Sequence, residues 1–152
     1  MELDRAGVLV FAVWIGLESL VMAGLEIGMP AALSHAPDTA KSSWLLFRVL
    51  GAVITVPIAE ELAFRGFLLR RFVSTDFESV GWQSVSWIAI LLSSIAFGVL
   101  HGDRWLAGTV AGAIYAFTWM RRGSMGDAVA AHATTNALIA AWVLISGEWH
   151  LW

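Results

Sequence analysis

The sequence predicts an all-α polytopic membrane protein, a helical bundle of about five transmembrane spans. Three observations predict it. Hydrophobic residues make up 59% of the 152-residue chain and charged residues only 14%, where a soluble domain carries about 25% charged. Mean hydropathy is +0.75, more apolar than a small water-soluble globule can hide. The chain also has nine tryptophans, a residue that favours membrane–water interfaces. The net charge of −3 offers no basic face for nucleic acid. The absence of cysteine excludes disulfides, thiolate metal ligands and a cysteine nucleophile.

A span needs about 20 largely apolar residues, and five segments qualify or come close. The first covers residues 6–30 and is interrupted by Glu18 and Glu26. The second, 44–72, carries Glu60, Glu61 and Arg65. The third, 79–100, has no Asp, Glu, Lys or Arg and ends at His101. The fourth, 105–120, is uncharged but short. The fifth, 128–146, holds His132 as its one titratable group. Residues 31–43, 74–81, 102–104 and 121–127 read as connections, the second with room for a short surface helix. The N-terminus lacks the positive stretch of a signal peptide, so the first span is expected to be retained. All 152 residues are expected to form one membrane domain, with the second to fifth segments falling within 45–146.

Orientation follows from Lys and Arg near the span ends. Arg5, Arg70, Arg71, Arg121 and Arg122 fall on one side, and Lys41, Arg48 and Arg104 on the other. That bias predicts a cytoplasmic N-terminus and an external C-terminus.

Charged groups at mid-span are costly, about 2.5–3.5 kcal/mol each on insertion scales, so those in the second span need partners. Glu61 and Arg65 are one helical turn apart and can neutralise each other. Glu60 projects about 100° away from Glu61, and so needs a partner from another helix, a cation or its proton. Pro57 cannot donate to the carbonyl four residues back, at Val53, and predicts a kink. Broken helices of this kind are tolerated where they line a cavity. His132 and Asn136 share one helix face, and His101 has Phe97 one turn below it. Singly, each polar group reads equally well as a helix–helix hydrogen bond. Together they offer a free carboxylate, two imidazoles and a carboxamide, enough for a general base, a second proton-transfer group and oxyanion donors. Gly108 and Gly112 form a small-xxx-small pair for close helix approach. Tyr115 is read as core or as a donor into the cavity, and His35 and His150 as bystanders.

Three motifs stand in order on these segments. Glu60-Glu61-Leu62-Ala63-Phe64-Arg65 fits E-E-x-x-x-R, Phe97 to His101 fits F-x-x-x-H, and His132 to Asn136 fits H-x-x-x-N. In this order they resemble the CAAX protease and bacteriocin-processing (CPBP, or Abi) family of intramembrane proteases, over about residues 48–145. Val56-Pro57-Ile58-Ala59-Glu60-Glu61 further resembles the exosortase-associated CAAX-protease-like subgroup. The resemblance implies an intramembrane endopeptidase in a bacterial inner membrane, with a four-helix catalytic core at 45–146 that carries the three motifs, acting on a membrane-associated protein or peptide, with membrane lipid as its other partner. Whether that substrate is itself lipidated stays open. Glu60 and His101 would activate a water, His132 and Asn136 would hold the oxyanion, and Glu61 and Arg65 would support the site. Eukaryotic relatives have about eight spans, more than the five expected here.

No cofactor is favoured. The alternative is a zinc site of Glu60, His101 and His132, which have the ligand types of a catalytic His₂Glu set. No second-shell partner for either imidazole is evident in the sequence. There is no H-E-x-x-H motif of a zinc protease, no rhomboid-type G-x-S-G, and no G-x-G-D around Asp127. Two other classes remain: a catalytically silent binding or immunity protein on the same scaffold, and a proton-coupled carrier using the Glu and His groups as a relay.

Overall fold

The computed structural model describes residues 3–21 and 28–152. Every regular element among them is helical. The long helices are α1 (Leu3–Val21), α3 (Asp38–Arg71), α4 (Trp87–Leu100), α5 (Trp105–Arg122) and α6 (Met125–Ser146). A one-turn α2 (Ala31–Ser34) precedes α3.

Several boundaries differ from those predicted, each for a local reason. Pro37 caps α3, so the helix starts at Asp38 rather than at residue 44. Proline suits a helix start because its missing N–H has no intrahelical partner there anyway. The stretch read as loop 31–43 therefore contains α2 and the first turns of α3. Ser86 caps α4 by accepting from the Ala89 N–H at 3.2 Å. Residues 79–85, read as part of the third span, instead form extended backbone and tight 3₁₀ turns. Helix α5 runs on to Arg122, and α6 begins at Met125. The turn between them is Gly123, at φ +69°, and Ser124. Of the predicted first span, residues 6–21 lie in α1 and residues 28–30 lie outside any helix; Glu26 is not among the described residues.

The helices alternate in direction. Arg70 Nε donates to the Val80 carbonyl, which ties the end of α3 to the approach to α4. Gly123 faces the Trp82 ring at the same end. At the opposite end, Glu18 of α1 pairs with Arg104 at 2.9 Å, and Arg104 also donates to the His150 carbonyl. His150 contributes its backbone carbonyl to this contact, and its ring is not involved in it.

Glycine sets how closely the helices pack. A Cβ at Gly108 would stand 2.9 Å from Gly98 Cα, and one at Gly112 3.1 Å from Ser94 Cα. Only glycine allows α4 and α5 to approach that far, as the small-xxx-small pair predicted. Ser93 Oγ reaches the Phe64 carbonyl and joins α4 to α3. The outer surface is apolar: Phe47, Trp87, Ile88 and Ile145 are 73%, 70%, 70% and 87% exposed. Water would not tolerate such a surface, whereas lipid does. Helices α3 and α6 are long and apolar enough to cross a membrane, and α4 is apolar but shorter.

Candidate active site

Helix α3 is irregular where it carries the acidic pair. Its α-helical segment Val56–Glu61 is flanked by π-helical stretches at Gly51–Thr55 and Leu62–Leu68. Insertions of this kind often mark functional sites. The cause of the first is legible. The Val56 N–H reaches back five residues to the Gly51 carbonyl. Pro57 has no N–H, so in the same register the Ala52 carbonyl is left open. Asn136 Nδ2 from α6 fills it at 2.8 Å. The carbonyl that a second helix meets is thus Ala52, five residues before Pro57, one position before the Val53 that the α-helical register points to.

Glu61 is fully buried, with one oxygen committed and the other, Oε2, without a hydrogen-bond partner among the described residues. Its Oε1 accepts from Arg65 Nη1 at 3.1 Å and from His132 Nδ1 at 3.0 Å. Arg65 is also buried; its Nη2 donates to the Gly112 carbonyl at 2.6 Å. The guanidinium lies 4.7 Å from the centre of the Phe97 ring. This cluster bolts α3 to α5 and α6 in a dry interior.

Glu60 differs. Its side chain is 21% exposed on the wall of a cavity of about 210 Å³. Its Oε2 stands 3.8 Å from His132 Nε2 and has no hydrogen-bond partner among the described residues. His132 thus lies between the two carboxylates, bonded to one and facing the other.

The two imidazoles are held by their Nδ1 atoms. His101 Nδ1 is 2.8 Å from the Phe97 carbonyl. A carbonyl only accepts, so Nδ1 carries the proton, and in the neutral ring Nε2 is the acceptor. Phe97 and Trp14 flank this ring, with centroids at 4.7 and 5.4 Å. His132 is stacked on Tyr115 at 4.7 Å with 15° between the planes. The Tyr115 hydroxyl donates to Thr135 Oγ1 at 2.8 Å, not into the cavity. Thr135 in turn lies 3.0 Å from the Gly7 carbonyl of α1.

Glu60, His101, His132 and Asn136 all line the one cavity. Their predicted depths, roughly 18, 24 and 9 Å from the cytoplasmic ends for Glu60, His101 and His132 at 1.5 Å per residue, disagree less once the boundaries are corrected. The late start of α4 leaves about 21 Å of helix before His101, and the early start of α6 puts about 10 Å before His132. The cavity reaches the end of the bundle that holds Arg48, Arg104, Leu151 and Trp152.

The zinc alternative calls on the same residues. Glu60, His101 and His132 share the cavity, but no group of three or more His, Cys, Asp or Glu side chains among the described residues is arranged to hold a metal ion. The partners for the imidazoles that the sequence did not reveal are present: the Phe97 carbonyl and Glu61. They fix each ring with Nε2 left over.

Sequence reasoning missed Trp14, Thr135, and the Ala52 acceptor. Thr135 lies three residues from His132, so the helical period was a usable signal for it. Trp14 had none, because it comes from a helix without a motif.

The description of the type II CAAX prenyl endopeptidases, Rce1-like, matches residues 42–138, more than half of the chain. The chain belongs to the Rce1-like type II CAAX prenyl endopeptidase family. That is a family of membrane-integral proteases, and its matched stretch contains all three motifs. This agrees with the resemblance to CPBP proteins. No curated protein and no solved structure matches the chain.

Proposed function

We propose that this member of the family is an intramembrane endopeptidase whose general base is Glu60. The observation that carries this reading is the contrast between two adjacent glutamates. Glu61 is sealed in the interior with Oε1 spent on Arg65 and His132, whereas Glu60 lines the cavity, is 21% exposed and has no hydrogen bond to its Oε2 among the described residues. A water held between Glu60 and His101 Nε2 loses a proton to Glu60 and attacks the scissile carbonyl. The new C–O bond gives a tetrahedral oxyanion. With protons on both ring nitrogens, His132 donates Nδ1–H to Glu61 and Nε2–H to that oxyanion. Asn136 donates its second Nδ2 hydrogen, the first being held by Ala52. The C–N bond then breaks, and the proton on Glu60 passes to the leaving amine.

Fixed donors of this kind act strongly in a dry site, where one is worth about 3–4 kcal/mol in well-studied hydrolases. The substrate class is a membrane-associated protein or peptide, and lipid surrounds the enzyme. No metal is required. Purified wild type should cleave such a substrate and Glu60→Gln should not. Comparing peptides released from cells carrying each form identifies the substrate. Equal peptide patterns would favour the silent-binder or carrier readings. Stoichiometric metal in protein prepared without chelator, with loss of cleavage on chelation and rescue by zinc, would replace the metal-free mechanism with one in which Glu60, His101 and His132 are ligands.

A further inference from the structure

We infer that Trp14, on a helix outside the matched stretch, is a positioning residue of the active site: its indole sets the ring of His101. The inference rests on the proposed role of His101. One face of α1 runs along the whole catalytic cluster. Gly7, Val10, Trp14 and Glu18 are its buried positions, spaced as one helical stripe. At the first, the Gly7 carbonyl meets Thr135, which holds the Tyr115 hydroxyl under His132. Close packing is enforced there, because a Cβ on Gly7 would lie 2.6 Å from the Ala131 carbonyl oxygen. At the last, Glu18 takes Arg104 at 2.9 Å, three residues beyond His101. Trp14 lies between these two fixed points.

The Trp14 ring meets the His101 ring at 74° and 5.4 Å, an edge-to-face arrangement favoured by the aromatic quadrupole. His101 needs such a wall. It sits just beyond the last residue of α4, with φ −88° and ψ 6°, at the break between α4 and the 3₁₀ turn Gly102–Arg104. Its single hydrogen bond, to the Phe97 carbonyl, leaves rotation about that bond unrestrained. Phe97 blocks one direction at 4.7 Å and Trp14 the other. The indole N–H is buried and has no partner among the described residues. A bulky polar side chain left in that state is unusual, and it fits a residue whose placement answers to His101 rather than to its own hydrogen bonding.

The test uses the full chain in detergent with ¹⁵N-labelled histidine, comparing Trp14→Leu, Trp14→Phe and wild type. The chain has four histidines, and a His101→Gln spectrum assigns the signal. In Trp14→Leu, His101 should lose its single Nδ1–H tautomer pattern, with the His132 signals unchanged. Turnover should fall about tenfold or more at unchanged KM. Trp14→Phe, which keeps an aromatic edge, should restore both the spectrum and most of kcat. Trp14→Leu with a wild-type His101 spectrum would overturn the inference, as would Trp14→Phe failing as badly as Trp14→Leu. If Trp14→Leu does not fold, Trp14→Phe decides alone: a native His101 pattern with near-native kcat supports the inference, and loss of either refutes it. The spectrum needs no substrate, so wild type that cleaves nothing would count against the proposed function and leave this result standing.

Discussion

Glu60→Gln keeps the shape of the side chain and removes the base. We expect folded protein, with thermal stability close to wild type and turnover reduced to background. Glu61→Gln should behave differently, because it removes the buried negative charge that the Arg65 guanidinium pairs with and on which the His132 Nδ1–H rests. Breaking a buried pair costs about 3–5 kcal/mol, so a large drop in Tm should accompany the lost activity. The comparison is made by melting both variants in one detergent beside a cleavage assay. Cleavage by Glu60→Gln at the wild-type rate would remove Glu60 from the role of base. The sequence made this asymmetry half legible. The four-residue spacing pairs Glu61 with Arg65, and the helical angle turns Glu60 away. It did not show that His132 would sit between them, because a contact from α6 to α3 depends on helix packing that no local period encodes.

At the scale of the element, the interruption of α3 is the feature to test. Pro57 opens the Ala52 carbonyl and Asn136 closes it, so the two residues are energetically coupled across helices. Pro57→Ala returns an N–H that can satisfy Ala52 within α3. Asn136→Ala alone should therefore lose stability, on the order of 1–3 kcal/mol for a stranded buried acceptor, along with an oxyanion donor whose loss costs about 10²–10³ in kcat. In the Pro57→Ala background the stability cost of Asn136→Ala should shrink while the catalytic cost remains. A double-mutant cycle read by Tm and by kcat separates the two. Additive stability losses would mean that the carbonyl at Ala52 does not depend on Asn136. The proline was visible in the sequence and so was its consequence, an orphan carbonyl. Its position was not, because choosing between four- and five-residue registers depends on the neighbours of α3. The boundaries of α3 and α4 were misjudged for a related reason: Pro37 and Ser86 are capping signals, and apolarity is a poor guide to where a membrane helix stops.

For the whole molecule, the geometry turns a statistical bias into a testable orientation. Arg70 and Arg71 end α3, and Arg121 and Arg122 end α5, at the same end of the bundle. The opposite end holds the mouth of the catalytic cavity, with Arg48, Arg104 and the turn Trp149–Leu151. Helices α1 and α6 run the same way, because Gly7 packs on Ala131 while Glu18 is linked through Arg104 to His150. The two ends of the described chain therefore lie at opposite ends of the bundle. The positive-inside rule predicts that the four-arginine end faces the cytoplasm and that the cavity opens towards the far side. Substrate would arrive from that side. The chain has no cysteine, so single-cysteine variants report cleanly. Thr75→Cys, in the exposed α3–α4 connection, should resist a membrane-impermeant maleimide in intact cells and react after lysis. Ser146→Cys, at the end of α6, should react at once. The reverse pattern would invert the molecule, and with it the side from which a peptide reaches Glu60.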